Sequence, residues 1–171
     1  MQKYATIFGN SSYSIYDNLA YETGFELAKR GYTIVNGGYG GIMEASSKGA
    51  KEIKGKTIGI TLSKFRSGIN NYIDEIIEKD NLLDRIDTLI NMGSVYIIFP
   101  GGTGTLAELS IICEFINKGF KKPRKIFIHN FWRPVYDLLK IYSIDQKTKE
   151  SAILKYVIFF NKLQDIISNL T

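Results

Sequence analysis

The sequence predicts a single α/β domain in which a parallel sheet of six or seven strands is covered by helices on both faces, the doubly wound arrangement. Three observations predict it. Short runs rich in Ile, Val, Tyr and Phe alternate along the chain with longer amphipathic stretches, the signature of repeated strand and helix units. The run over 94–99 is almost continuously apolar, as expected of a central strand buried on both faces. Two glycine clusters, Gly37-Gly38-Tyr39-Gly40-Gly41 and Gly101-Gly102-Thr103-Gly104, each stand where a strand gives way to a helix. At 171 residues, 44% hydrophobic and 23% charged, the chain supplies one sizeable core and needs no second domain.

In chain order, residues 4–8 read as the first strand, ending in the polar turn Gly9-Asn10-Ser11-Ser12. A helix over 15–30 follows, with Leu19, Thr23, Leu27 and Ala28 on one face and Gly31 closing it. Residues 32–35 form the second strand, the first glycine cluster leads into a helix over 42–50, and 56–60 form the third strand. Residues 63–71 show little periodicity and read as a loop able to lie over a site. A short strand at 75–79 precedes a helix over 82–92 and then the apolar strand 94–99. Pro100 and the second glycine cluster turn the chain into a helix over 105–117. A strand at 125–128, a helix at 132–142, and a final strand and helix at 153–160 and 161–170 complete the pattern.

Composition excludes several classes of function. One cysteine, Cys113, allows no intramolecular disulfide, and one histidine, His129, leaves too few ligands for a zinc site of the His/Cys type within the chain. No metal and no cofactor are expected. Cys113, among Ile111, Ile112 and Phe115, reads as core packing, and His129 as a cap after its strand. The longest apolar stretches are far too short to span a bilayer, and the start of the chain has no secretory-signal pattern, so a cytoplasmic protein without membrane contact is expected. The net charge of +5 suits an anionic small molecule, whereas lysines scattered along the chain argue against extended nucleic-acid binding.

The glycine clusters carry the chemistry. At the carboxyl end of a parallel strand, a tight glycine turn leaves backbone N–H groups and a helix N-terminus aimed at one spot, which favours phosphate. Glycine permits close approach, and several such positions are expected to need positive φ. Neither cluster places a lysine after its last glycine, so a P-loop is excluded, and the glycine spacing does not fit the dinucleotide fingerprint. Glu108 lies one turn into the helix after the second cluster, placed to point back towards a ligand at that helix start. Arg85, in Asp84-Arg85-Ile86-Asp87, reads from pattern alone equally well as a solvated, salt-bridged position.

Pro100-Gly101-Gly102-Thr103-Gly104-Thr105-Leu106-Ala107-Glu108 matches the PGGxGTxxE motif of the LOG-like proteins, a Rossmann-like family long labelled lysine decarboxylases, and on these residues the chain resembles that family. Gly37-Gly38-Tyr39-Gly40-Gly41-Ile42-Met43 is similar to the family's earlier glycine-rich motif, and Gly9-Asn10-Ser11-Ser12 to its first turn. Members that activate cytokinins are phosphoribohydrolases, which split an N6-substituted adenosine monophosphate into free base and ribose 5-phosphate by means of an arginine and the motif glutamate. The resemblance implies Glu108 as that glutamate and Arg85, fifteen positions before Pro100, as that arginine. The usual MHxRK neighbourhood is replaced here by Leu83-Asp84-Arg85-Ile86, without the histidine and lysine.

The implied nucleotide-binding set is Gly9, Ser11, Ser12, Gly37, Gly38, Gly40, Gly41, Met43, Gly101, Gly102, Thr103, Gly104 and Thr105. The resemblance also implies a homodimer or larger homo-oligomer. Two functions follow as expectations. One is hydrolysis of a nucleoside 5′-monophosphate at its N-glycosidic bond, with Glu108 stabilising an oxocarbenium-like state and activating water. The other is non-catalytic binding of a nucleotide or the molybdenum cofactor, as in other members of the superfamily.

Overall fold

The computed structural model describes residues 2–146 and 155–170. Seven strands, β1 (Lys3–Phe8), β2 (Tyr32–Asn36), β3 (Thr57–Leu62), β4 (Glu75–Lys79), β5 (Val95–Ile98), β6 (Ile126–His129) and β7 (Val157–Phe160), form one sheet in the order β4-β3-β2-β1-β5-β6-β7. Every neighbouring pair is parallel. The order reverses between β1 and β5, the switch point at which open α/β sheets form ligand crevices. The helices are α1 (Asp17–Lys29), α2 (Ile42–Lys51), α3 (Leu82–Met92), α4 (Thr103–Asn117), α5 (Arg133–Gln146) and α6 (Leu163–Ile167).

The period-two geometry of the strands divides their side chains between two cores. Ala5, Ile7, Ile34, Val95, Ile97 and Phe127 pack on one face with Leu27 of α1, Ile42 of α2 and Ile166 of α6. Phe8, Val35, Tyr96, Ile98 and Ile128 pack on the other with Leu89 of α3 and Leu109 and Ile112 of α4. The doubly wound, Rossmann-like expectation is therefore met. α1 and α2 touch backbone to backbone: a Cβ on Gly24 would stand 1.9 Å from Ser46 O, and one on Gly49 would stand 2.0 Å from Tyr21 O.

The boundaries that differ from expectation have local causes. α1 begins at Asp17 instead of 15, because the Ser14 hydroxyl and N–H both donate to the Asp17 carboxylate, at 2.8 and 3.2 Å, closing a turn ahead of the helix. α4 begins at Thr103, two residues early, since the glycine cluster itself enters the helix. Trp132 belongs to a 3-10 turn before α5, and its indole N–H donates to Phe99 O at 3.0 Å. Residues 63–71 are not a plain loop: Ser63–Gly68 winds as a 3-10 segment with no buried residue. The last strand begins at Val157; 153 and 154 of the expected strand lie outside the described residues. Among the described residues, no helix is long and apolar enough to cross a membrane.

Candidate active site

Three strand-to-helix turns meet at the carboxyl edge of the sheet, around the switch point. Asn10 N–H donates to Pro100 O at 3.1 Å, and Ile42 N–H donates to Asn10 O at 3.0 Å, so the turns after β1, β2 and β5 are bonded into one unit. Asn36, fully buried at the end of β2, donates from Nδ2 to Met43 O at 3.0 Å and Ser47 Oγ at 2.9 Å, while its Oδ1 accepts from Gly38 N–H at 2.8 Å. That amide fixes the start of α2 under the first glycine cluster. Gly41 has φ +60, and a Cβ there would stand 2.5 Å from Asn10 O, so backbone and space both demand glycine.

The turns enclose a cleft of about 710 Å³. Of the residues expected to bind or act, Gly9, Ser11, Gly37, Gly40, Met43, Arg85, Gly102, Thr103, Gly104, Thr105 and Glu108 line it. Ser12, Gly38, Gly41 and Gly101 do not; they belong to the turns behind its wall. Gly101 is held tight by packing, with Thr105 Oγ1 2.2 Å from where its Cβ would lie. Asn10, Tyr39, Leu62, Phe65 and Leu82 also line the cleft, and little in the sequence marks them beyond an aperiodic stretch beside two glycine turns.

The two glycine clusters are not equivalent. No side chain caps the first turn of α4, no acidic residue lies in it, and nothing comes within 4 Å of a Cβ placed on Gly102 or Gly104. Its N–H groups and the positive end of its dipole therefore open onto the cleft. At α2, Ile42 N–H is already bonded to Asn10 O, and Glu44 occupies the first turn. Positive φ, expected at several turn glycines, occurs at Gly38 and Gly41 and not in the second cluster. The start of α4 is the less satisfied of the two.

Arg85 is buried, 8% exposed, and not on a solvated face of α3. Its Nε donates to Ile60 O at 2.7 Å and its Nη2 to Gly37 O at 3.4 Å, and the guanidinium carbon lies 5.5 Å from the Tyr39 ring centre. A Cβ on Gly37 would stand 2.0 Å from Nη2, so the glycine makes room for this cation. Burial lowers the guanidinium from its ordinary value, and the charge of Glu108 opposes that shift. Burial also pushes the Glu108 carboxyl up to about 7, against the pull of Arg85. Among the described residues no carboxylate oxygen lies within 4.0 Å of Arg85, so the two groups share the cleft without closing on each other. A carboxyl poised near neutrality beside a fixed cation and an open helix start can exchange a proton and stabilise developing positive charge.

His129 and Cys113 stand apart from this cleft. His129 Nδ1 accepts from Phe131 N–H at 3.1 Å, and its ring packs edge-on against Tyr16 and Phe160. Cys113 lines a separate apolar cavity of about 170 Å³ together with Leu109 and Tyr136, where burial raises the thiol to about 11. Among the described residues, no group of three His, Cys, Asp or Glu side chains is placed to hold a metal ion.

Fold and cleft define a Rossmann-like protein with an open helix start at its switch point and an arginine and a glutamate within the cleft. The chain belongs to the SLOG cluster4 family, whose model matches residues 2–118, and the resemblance to the LOG-like proteins is borne out. It is 36% identical over 93 residues to an uncharacterised protein of Archaeoglobus fulgidus, a match covering 54% of this chain and 61% of that one. It is 34% identical over 94 residues to the cytokinin riboside 5′-monophosphate phosphoribohydrolase of Mycobacterium tuberculosis, covering 53% of this chain and 50% of that enzyme. The match thus spans about half to three-fifths of these relatives' lengths. Among solved structures, the molybdenum cofactor carrier protein of Chlamydomonas reinhardtii superposes with a TM-score of 0.77 at 20% identity, covering 98% of this chain and 95% of that one. The molybdenum cofactor binding protein of Rippkaea orientalis gives 0.75 at 22% identity, covering 98% and 94%. At these identities the likeness is one of fold.

Proposed function

We propose that the protein is a nucleoside 5′-monophosphate phosphoribohydrolase, cleaving the N-glycosidic bond to release free base and ribose 5-phosphate. The observation that carries this reading is the meeting of Arg85 and Glu108 in the cleft onto which the uncapped start of α4 opens. The 5′-phosphate sits on the N–H groups of Gly102, Thr103, Gly104 and Thr105, with Ser11 opposite. So anchored, the ribose presents its anomeric carbon to Glu108, and the helix start and carboxylate act on one molecule held in one geometry. As the bond to the base breaks, ionised Glu108 stabilises the oxocarbenium-like sugar and takes a proton from the water that adds to it, and that proton passes on to the departing base. Arg85, fixed by two carbonyls, holds Glu108 partly ionised at neutral pH.

The relative from Mycobacterium tuberculosis, named for this reaction on a cytokinin nucleotide, supports the reaction class. The histidine and lysine of the usual neighbourhood are absent beside Arg85, so cytokinin specificity is not carried over with the reaction. A second reading, a carrier of nucleotide or molybdenum cofactor, is favoured by solved carriers that superpose over 98% of the chain. The test is to incubate the protein with a panel of nucleoside monophosphates and follow free base. The enzyme reading predicts release that Glu108→Gln abolishes while nucleotide binding persists. Tight binding of a nucleotide or cofactor with no release from any member of the panel would leave the carrier reading in its place.

A further inference from the structure

We propose that the amino edge of the sheet, away from the cleft, binds a short stretch of single-stranded nucleic acid through the loop over 118–125, with Phe120 stacked on a base and Lys122 and Arg124 on flanking phosphates. All seven strands are parallel, so their starts lie together at the edge opposite the turns that form the cleft. The loop joins α4 to β6 at that edge and reads Lys118-Gly119-Phe120-Lys121-Lys122-Pro123-Arg124-Lys125, with no carboxylate to offset its cations. Lysines far apart in the sequence meet there. β7 enters the sheet beside β6, where Ile126 N–H donates to Tyr156 O at 3.0 Å, so Lys155 stands at the neighbouring strand start.

The loop is pinned from several sides. Lys121 N–H donates to Phe115 O at 3.1 Å, Lys121 Nζ to Asn91 O at 2.9 Å at the end of α3, and Lys125 Nζ to Asn169 O at 2.6 Å beyond α6. Cations at helix carboxyl ends complement the helix dipole, which accounts for Lys121 and Lys125. Lys118 is paired with Glu114 at 3.5 Å. Helix ends do not account for the remaining three side chains. Lys122 and Arg124 are exposed, and among the described residues neither has a carboxylate oxygen within 4.0 Å. Phe120 is 77% exposed and meets the Phe115 ring edge-on at 6.0 Å. Burial lowers the Lys121 ammonium from its ordinary value, and Arg124 adds to that shift against the pull of Asp87. Like charges are crowded here, and a polyanion relieves them.

One exposed flat ring beside two outward cations fits a single strand better than other polyanions. In a duplex the bases are stacked on both faces and leave none for Phe120, so the cations alone would act. A bilayer calls for a wider apolar surface, and Phe120 is the one large apolar side chain of the loop. Contacts to phosphates and base faces read no base edge, so binding is indifferent to sequence. The surface lies across the sheet from Arg85 and Glu108, and a nucleotide in the cleft does not compete for it.

Fluorescence anisotropy of a labelled oligo(dT) titrated with the full chain at low salt tests this. Phe120→Ala is expected to weaken binding roughly 5- to 150-fold, the span of one base stack, with its salt dependence unchanged, and Phe120→Trp to retain it. Lys122→Ala combined with Arg124→Ala is expected to lower the slope of log affinity against log salt by roughly 1.4, about 0.7 for each phosphate contact removed. Saturating AMP is expected to displace nothing. All three side chains are exposed, so thermal unfolding of the variants is expected to match the parent. No binding at low salt, parent affinity in every variant, equal affinity for a duplex of the same length, or displacement by AMP would overturn the proposal. So would attachment to phosphatidylserine vesicles without binding of oligo(dT). Because the readout is neither turnover nor occupancy of the cleft, the result is independent of the function proposed for that cleft.

Discussion

In the proposed reaction the chemistry turns on Glu108, and its burial has a consequence for stability that needs no substrate. An unfolded glutamate titrates at roughly 4.3, whereas burial holds the folded group at about 7. Between those values the folded protein keeps a proton that the unfolded chain has lost. The stability tied to that proton is full at acid pH and is lost as pH rises through 7. Glu108→Gln removes this dependence, so the variant should gain on the parent between pH 5 and pH 8, by up to about 3 kcal/mol. Denaturant unfolding at the two pH values measures it; a gap that does not widen would mean the carboxyl is not held near neutrality. Glu108 was legible because a nine-residue motif names it. Arg85 matched the family spacing, but its charged neighbours Asp84 and Asp87 pointed equally to a solvated face, and only the fold shows it against Ile60 O and Gly37 O. Phe65 carried no signal of its own, only its place in an aperiodic stretch read as able to lie over a site.

At the scale of elements, the first turn of α4 is left without a side-chain cap, whereas at α3 Asn81 Oδ1 accepts from Asp84 N–H at 2.9 Å and at α2 Ile42 N–H donates to Asn10 O at 3.0 Å. Gly104 has neither positive φ nor a close neighbour, so the fold does not require glycine there. Gly104→Ala should therefore leave the protein as stable or stabilise it by up to about 1 kcal/mol, the helix-propensity difference, while weakening ribose 5-phosphate. Thermal unfolding and titration of the same variant separate the two effects; unchanged phosphate affinity would show that this helix start does not hold the anion. The glycine clusters were both visible in sequence, yet their inequality was not. It depends on Asn10 bridging to Ile42 and Pro100, contacts between turns far apart in the chain.

For the whole molecule, topology does the positioning. Reversal of strand order between β1 and β5 leaves a crevice at the sheet's carboxyl edge, and the two cores on either face hold its rims rigid. The alternation of strands and helices made this architecture readable, because a sheet covered on both faces needs near-continuous apolar strands. Element ends were less readable, since they are set by side chains such as Asp17 and Trp132 whose partners only the fold reveals. We also propose assembly into at least a homodimer. Leu83 of α3, 72% exposed beside the cleft mouth, and Leu138 of α5, 68% exposed, supply apolar surface for it. Sedimentation at micromolar concentration should give a mass of two or more chains; a monomer would refute it. Whether this cleft breaks an N-glycosidic bond is decided by quantifying both products from a nucleoside 5′-monophosphate. Free base and ribose 5-phosphate are expected in equal amounts, formed by the parent and not by Glu108→Gln. Equal turnover by both proteins, or base released without ribose 5-phosphate, would contradict it.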